Sequence, residues 1–192
     1  KDKFLTVAWN RGPAQQIIVD EVSYEFPADA ILPLMVNQSF SFGQSTDIVA
    51  WQFNRDFYCI VDHDKEVSCV GFLFYGVKSP LFINLSQADK RKISLLLEVF
   101  RDEFDTADRI QSEMLRMLLV RLIITITRLA RQQFISEPIQ DETNFALFRQ
   151  FNLLLENNYR KEHTVQFYAS ALNKSPKTLA NVFALFEKKS PL

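Results

Sequence analysis

Glycine is scarce in this chain, with four in 192 residues against eighteen phenylalanines. A Gly-rich phosphate-binding loop is thereby excluded, because such loops need several residues without a Cβ close together. Histidine is scarcer still. His63 and His163 stand a hundred residues apart, whereas a metal-dependent oxygenase site draws several His and a carboxylate onto one ion. His63 lies in the acidic turn Asp62-His63-Asp64 and reads as a solvated loop residue. No metal or cofactor is expected. Nor does any nucleophile have a plausible base beside it, so no enzymatic activity is expected. The two cysteines, Cys59 and Cys69, share one hydrophobic region and read as reduced core thiols rather than a disulfide.

Long apolar runs are missing too. The greasiest stretch, "MLLVRLIITITRLA", is interrupted by Arg121 and Arg128, which argues against a membrane span. The opening residues, "KDKFLTVAWN", hold no export signal, so the expected compartment is the cytoplasm. What is present suits a core: 47% hydrophobic against 23% charged residues. The net charge of −1 is unevenly spread. From Phe145 onward seven Lys and Arg face three Glu, a surplus of four, while the remaining 15 cations and 20 anions leave residues 1–144 at −5. An acidic body with a basic end fits one module for a neutral ligand and another for phosphates.

The first eighty residues read as short strands: "FLTVAW", "QQIIVDEVSYEF", "AILPLMV", "FSFGQ", "DIVAWQFN" and "VSCVGFLFYG". Turn signals at Arg11-Gly12-Pro13, Pro27-Ala28-Asp29 and Asp62-His63-Asp64 divide them. In "DIVAWQF" the alternation puts Val49, Trp51 and Phe53 on an inward face. Such spacing favours an antiparallel sandwich or barrel. At Ser86 the period changes. Ser86 is a helix N-cap with Asp89 three places on, and Ile93, Leu96, Leu97, Phe100 and Phe104 line one helical face. A second helix, from about Asp108 to Gln133, is apolar on nearly every side between 114 and 126. It needs two surfaces to bury against, and the second is expected to be another copy of this chain. "ISEPIQDE" is the linker candidate.

The stretch "HTVQFYASALNKSPKTLANVF" (163–183) reads as two helices around a tight turn. Thr164 caps the first, whose apolar residues are Val165, Tyr168, Ala169 and Leu172. Asn173 suits the left-handed position past its end, Ser175 caps the next helix, and Pro176 takes its first position. Leu179, Val182, Phe183 and Phe186 form the buried side. Lys177, Thr178 and Asn181 are left to reach base edges or phosphates, with Lys174 in the turn for the backbone. The run from Leu154 to Pro191 resembles the first half of the DNA-binding domain of AraC/XylS-type transcriptional regulators. The resemblance is carried by Val165, Ala169, Leu172, Ser175-Pro176, Leu179, Phe183 and Lys189-Ser190-Pro191. Two departures stand out: Lys188 where such regulators often have glycine, and Ala184 and Leu185 where basic residues are common.

The resemblance implies an α+β chain in four parts. Residues 1–84 would be a cupin-like antiparallel β-barrel sensor, 85–135 a helical dimerisation segment, 136–143 a linker, and 144–192 a partial helix-turn-helix domain. It also implies a second helix-turn-helix after Ser190-Pro191, so the chain is expected to be part of a longer protein and to bind DNA weakly by itself. A small-molecule effector would sit in the barrel, with Trp9, Phe42, Trp51, Phe53 and Phe74 as candidate wall residues. The expected partners are DNA, a second copy through helices within 86–134, and that effector. The competing expectation is a stand-alone cupin-like binding or interaction protein without DNA binding.

Overall fold

Every residue of strand β1 (Leu5–Asn10) is buried, because both of its faces are covered by different layers. Leu5, Val7 and Trp9 point to one side and join a cluster with helical Ile93, Leu97, Phe100, Leu119 and Leu122. Ala8 points the other way, into a cluster with Ile17, Val19, Phe26 and Leu32. The period of two thus places one sheet between helices and a second sheet. The computed structural model describes residues 4–36, 38–58, 73–74, 80–134, 142–158 and 160–186.

The middle sheet has the order β6-β1-β4-β7, with β4 spanning Ala30–Leu34, β6 Ile48–Phe53 and β7 Ile83–Asn84. β1 pairs antiparallel with β4 (Ala8 opposite Leu32) and with β6 (Ala8 opposite Ala50). Pro33 is tolerated within β4 because β7 pairs only with Ala30 and Ile31, so one side of the strand is an edge at Pro33. The outer sheet has the order β3-β2-β5, from Val22–Phe26, Gln15–Val19 and Phe40–Phe42. Among the described residues the strands form two open sheets packed face to face, a sandwich rather than a closed barrel. Its layers are joined by side chains, Phe26, Ile17 and Val19 of the outer sheet packing with Ala8 and Leu32 of the middle one, and Phe26 lies 5.5 Å from Phe82 just before β7.

"QQIIVDEVSYEF", read as one strand, folds as the hairpin β2–β3. Asp20 and Glu21 carry φ of 49° and 67°, the doubly left-handed turn that matches strand twist. Asp20 is held there from outside: its carboxylate accepts the Ser39 N–H at 2.8 Å, and its own N–H donates to the Ser39 carbonyl at 2.9 Å. The expected strand "VSCVGFLFYG" lies largely outside the described residues, as do Asp62-His63-Asp64, Cys59 and Cys69. Its two described members, Leu73 and Phe74, are helical and buried.

Helix α1 (Gln87–Asp105) starts as its cap predicts, with the Ser86 hydroxyl accepting the Asp89 N–H at 3.2 Å. It buries Ile93, Leu96, Leu97 and Phe100, each contributing about 1.5–3 kcal/mol. Phe104, expected on that face, is 66% exposed in the last turn. Gln111 then donates to the carbonyls of Glu103 (2.9 Å) and Phe104 (3.2 Å), which satisfies the end of α1 and turns the chain into α2 (Gln111–Phe134). α2 buries Leu115, Leu118, Leu119, Leu122, Ile123 and Ile126 against the sheet and α1. At its far end Gln133 exchanges two hydrogen bonds with the backbone of Asn84, accepting at 2.9 Å and donating at 2.7 Å. No helix among the described residues is long and apolar enough to cross a membrane.

Candidate nucleic-acid interface

Three helices make a core of their own: α3 (Glu142–Asn158), α4 (Val165–Ala171) and α5 (Pro176–Phe186). Leu147, Phe148 and Phe151 from α3, Tyr168 and Ala169 from α4, and Leu179, Val182 and Phe183 from α5 form one buried cluster. Phe183 is its pin, with ring centroids 4.8 Å from Phe148 and 4.7 Å from Phe151. Phe151 in turn lies 5.1 Å from Tyr168. Ala169 is fully buried where α4 meets its neighbours, and its small side chain permits the close approach.

The turn between α4 and α5 is built from backbone geometry and Asn173. Asn173 carries φ 53° and donates its N–H to the Ser170 carbonyl at 3.1 Å. The next N–H, of Lys174, reaches the Ala169 carbonyl at 2.9 Å. This six-to-one plus five-to-two pair is the Schellman ending, with Asn in the left-handed place that glycine usually fills. Ser175 opens α5: its hydroxyl accepts the Thr178 N–H at 3.0 Å and lies 2.9 Å from the Thr178 hydroxyl. Upstream, the Thr164 hydroxyl accepts the Phe167 N–H at 3.4 Å, a long capping bond. The Tyr168 hydroxyl donates to the Glu162 carbonyl at 2.8 Å and ties the α3–α4 loop to the core. Burial pushes the Tyr168 phenol above its ordinary value, and the Glu162 charge adds to the shift.

Of the four residues expected to meet DNA, Lys174, Lys177 and Asn181 are exposed and Thr178 is half-buried. Lys177 and Asn181 lie one helical turn apart, opposite the buried Leu179 and Phe183, with Lys174 in the preceding turn. The tie between Thr178 and Ser175 was not anticipated. Its signal is the three-residue spacing of two hydroxyls at a helix start.

The five candidate effector residues do not share a wall. Trp9, Trp51, Phe53 and Phe74 belong to the core between the middle sheet and the helices, whereas Phe42 belongs to the core between the sheets. The two indoles stack at 6.5 Å with 8° between planes, and Trp51 lies 6.1 Å from Phe100 of α1. Trp9 is fully buried, and among the described residues its Nε1 has no hydrogen-bond partner. The Arg11 guanidinium sits 5.1 Å from the Trp9 ring centroid. An open groove of about 440 Å³ runs along α1, lined by Gln87, Lys90, Arg91, Ser94 and Leu95, and none of the five aromatics lines it. Lys90 there already pairs with Asp29 at 2.6 Å. Among the described residues, no group of three or more His, Cys, Asp and Glu is placed to hold a metal ion.

No family model matches the chain, and neither does any curated protein. Among solved structures it is similar to the AraC-like transcriptional activator CuxR, with a TM-score of 0.40 and 8% identity over 95% of this chain and 61% of that one. It is also similar to ToxT from Vibrio cholerae, with a TM-score of 0.39 and 16% identity over 93% of this chain and 67% of ToxT. A third similar structure is ToxT from Vibrio cholerae O395 bound to (E)-4-(8-methylnaphthalen-1-yl)but-3-enoic acid, with a TM-score of 0.37 and 16% identity over 96% of this chain and 73% of that one. The chain thus spans less than two thirds of the length of CuxR.

Proposed function

We propose that this chain is a DNA-binding transcriptional regulator of AraC/XylS type, with α4 and α5 as its helix-turn-helix. The observation that carries this reading is the α4–α5 turn. Asn173 closes one helix, Ser175 opens the next, and Leu179, Val182 and Phe183 are buried while Lys174, Lys177 and Asn181 face solvent. Lys174 and the first N–H groups of α5 serve the phosphate backbone, and the exposed side of α5 enters the major groove.

In this reading the protein acts as a cytoplasmic homodimer and performs no catalysis. The partner copy covers the outer face of α2, where Met114 is 39% and Met117 66% exposed, together with Ile110 just before the helix, 61% exposed. Arg121 and Arg128 continue that face. A small-molecule effector acts on the sandwich through the ring wall of Trp9, Trp51, Phe53 and Phe74, with Phe42 on the opposite core. Trp51 touches Phe100, so a shift of the sheet is felt by α1 and α2, and thereby by the spacing of the two DNA-reading heads.

The test is binding to a mixed-sequence duplex followed by fluorescence anisotropy across a salt series. Weak binding that falls with salt is expected, and Lys174→Ala with Lys177→Ala should reduce the log–log slope by about 2. Binding without salt dependence, or none even at low salt, overturns the reading. Sedimentation gives the second readout: the wild type is expected to be a dimer and Met117→Glu a monomer.

A further inference from the structure

The side chains that α5 can offer a groove form a short inventory. Its sequence, PKTLANVFALF, contains one charged residue, Lys177, and no Arg, Asp, Glu or Gln. Base edges select side chains by donor and acceptor pattern. Arg or Lys suits guanine, Glu or Asp suits cytosine, Asn or Gln suits adenine, and a methyl group suits the 5-methyl of thymine. The acidic reader of cytosine and the guanidinium fork for guanine are both absent from this helix.

Position removes further candidates. Leu179, Val182 and Phe183 are in the core. The Thr178 hydroxyl is held 2.9 Å from that of Ser175, inside the first turn. Lys177 stands in the same turn beside Lys174, where a phosphate would approach the helix start. Ala180, Asn181 and Ala184 remain, all exposed. Their spacing of one and four places them together on the side away from Leu179. Asn181 makes no side-chain hydrogen bond among the described residues, so both amide groups are available. The two alanines flanking it are too short to hold the helix off the groove floor.

We propose that α5 reads an A·T-rich half-site, in which the Asn181 amide pairs with adenine and the methyl groups of Ala180 and Ala184 lie against thymine. Thr178 is a positioning residue, fixing the first turn through Ser175 rather than touching a base. The inference rests on the DNA reading above and names the sequence class that reading leaves open.

The full chain is presented at low salt to a randomised duplex library, and enriched sites are measured individually. A·T pairs are expected at the position sensitive to Asn181→Ala, which should lower affinity about tenfold. Replacing adenine there with 7-deazaadenine, which lacks the N7 acceptor, should produce the same loss in the wild type and none in Asn181→Ala. Exchanging thymine for deoxyuridine should weaken the wild type severalfold, and Ala184→Gly much less. Thr178→Val should weaken all duplexes by one common factor. Circular dichroism checks that each variant keeps its helices. A G·C pair at the Asn181-sensitive position, indifference to deoxyuridine, or a Thr178→Val loss confined to one base pair overturns the inference while leaving DNA binding intact. A library that binds but yields no enriched sequence likewise overturns the inference alone, whereas no binding to any duplex at low salt overturns the DNA reading and this inference with it.

Discussion

Trp9 and Phe151 are both fully buried, yet the contacts that hold each ring differ in kind. Trp9 is held by partners far along the chain: Ile31 and Val49 across the sheet, Trp51 stacked on it, and the helices beyond. Phe151 is held by Tyr168 and Phe183, within three successive helices. The first core needs non-local register and loop closure before it rewards any contact, whereas the second is assembled from caps and turns. The chain therefore pairs a slow-to-assemble, many-layered unit with a small local one. Both tryptophans sit in the first, so indole emission reports on that unit alone.

The largest expected effect comes from the small core. Phe151→Ala should cost about 3–5 kcal/mol, most of what three short helices can hold. Helical circular dichroism should lose the α3–α5 contribution while the tryptophan melting transition stays in place. A single transition shifted in both signals would merge the two units into one. Asn10→Ala tests the other side. The buried Asn10 amide donates to the carbonyls of Pro13 (2.8 Å) and Pro27 (3.0 Å) and accepts from the Gly12 N–H at 3.2 Å, so one side chain pins two loops. Its loss should cost about 1–3 kcal/mol, and the shift should appear in tryptophan emission. Ser175→Ala comes next, at about 1 kcal/mol, because the Thr178 N–H loses its acceptor; the helical signal should move alone.

The smallest effects are those of pH, and they enter the two units from opposite ends. The Ser86 hydroxyl, and secondarily Lys92, hold the Asp89 carboxyl below its ordinary 3.8 despite opposing burial. The folded state thus prefers the charged form. Its stabilisation of the α1 start is complete above pH about 4 and fades as pH falls through the lowered value. Ser86→Ala should weaken that acid limb in tryptophan-monitored titrations, leaving the smaller contribution of Lys92. Tyr168 is raised, so the fold prefers the neutral phenol; its contribution is complete below pH about 10 and fades above that. On the alkaline side the helical signal should fall first, and Tyr168→Phe should remove that step.

The same contrast governs what could be read from the amino acids in advance. Ser86 with Asp89, Asn173 with its left-handed backbone, and Pro176 opening α5 were all legible, because each acts on groups within four or five residues. The faces of β6 were legible too, since alternation separates Trp51 and Phe53 from Ala50 and Gln52. What alternation leaves open is which layer covers a face. Hence Trp9 and Phe42, expected on one wall, lie in two cores. The hairpin at Asp20-Glu21 is not legible in the sequence, because it contains neither Gly nor Asn and is held by Ser39, nineteen residues after Asp20. In the candidate interface the exposure of Lys177 and Asn181 is legible by helical spacing, while the half-buried state of Thr178 depends on a rotamer shared with Ser175.

Gln133 has a consequence for solubility. A short outermost strand such as β7 offers unpaired donors and acceptors to any extended peptide that drifts past. By occupying the Asn84 N–H and carbonyl with its own amide, Gln133 takes the place a further strand would have among the described residues and closes that rim to intruders. The helix that would carry the protein's partner contacts thus also guards its sheet against unwanted company.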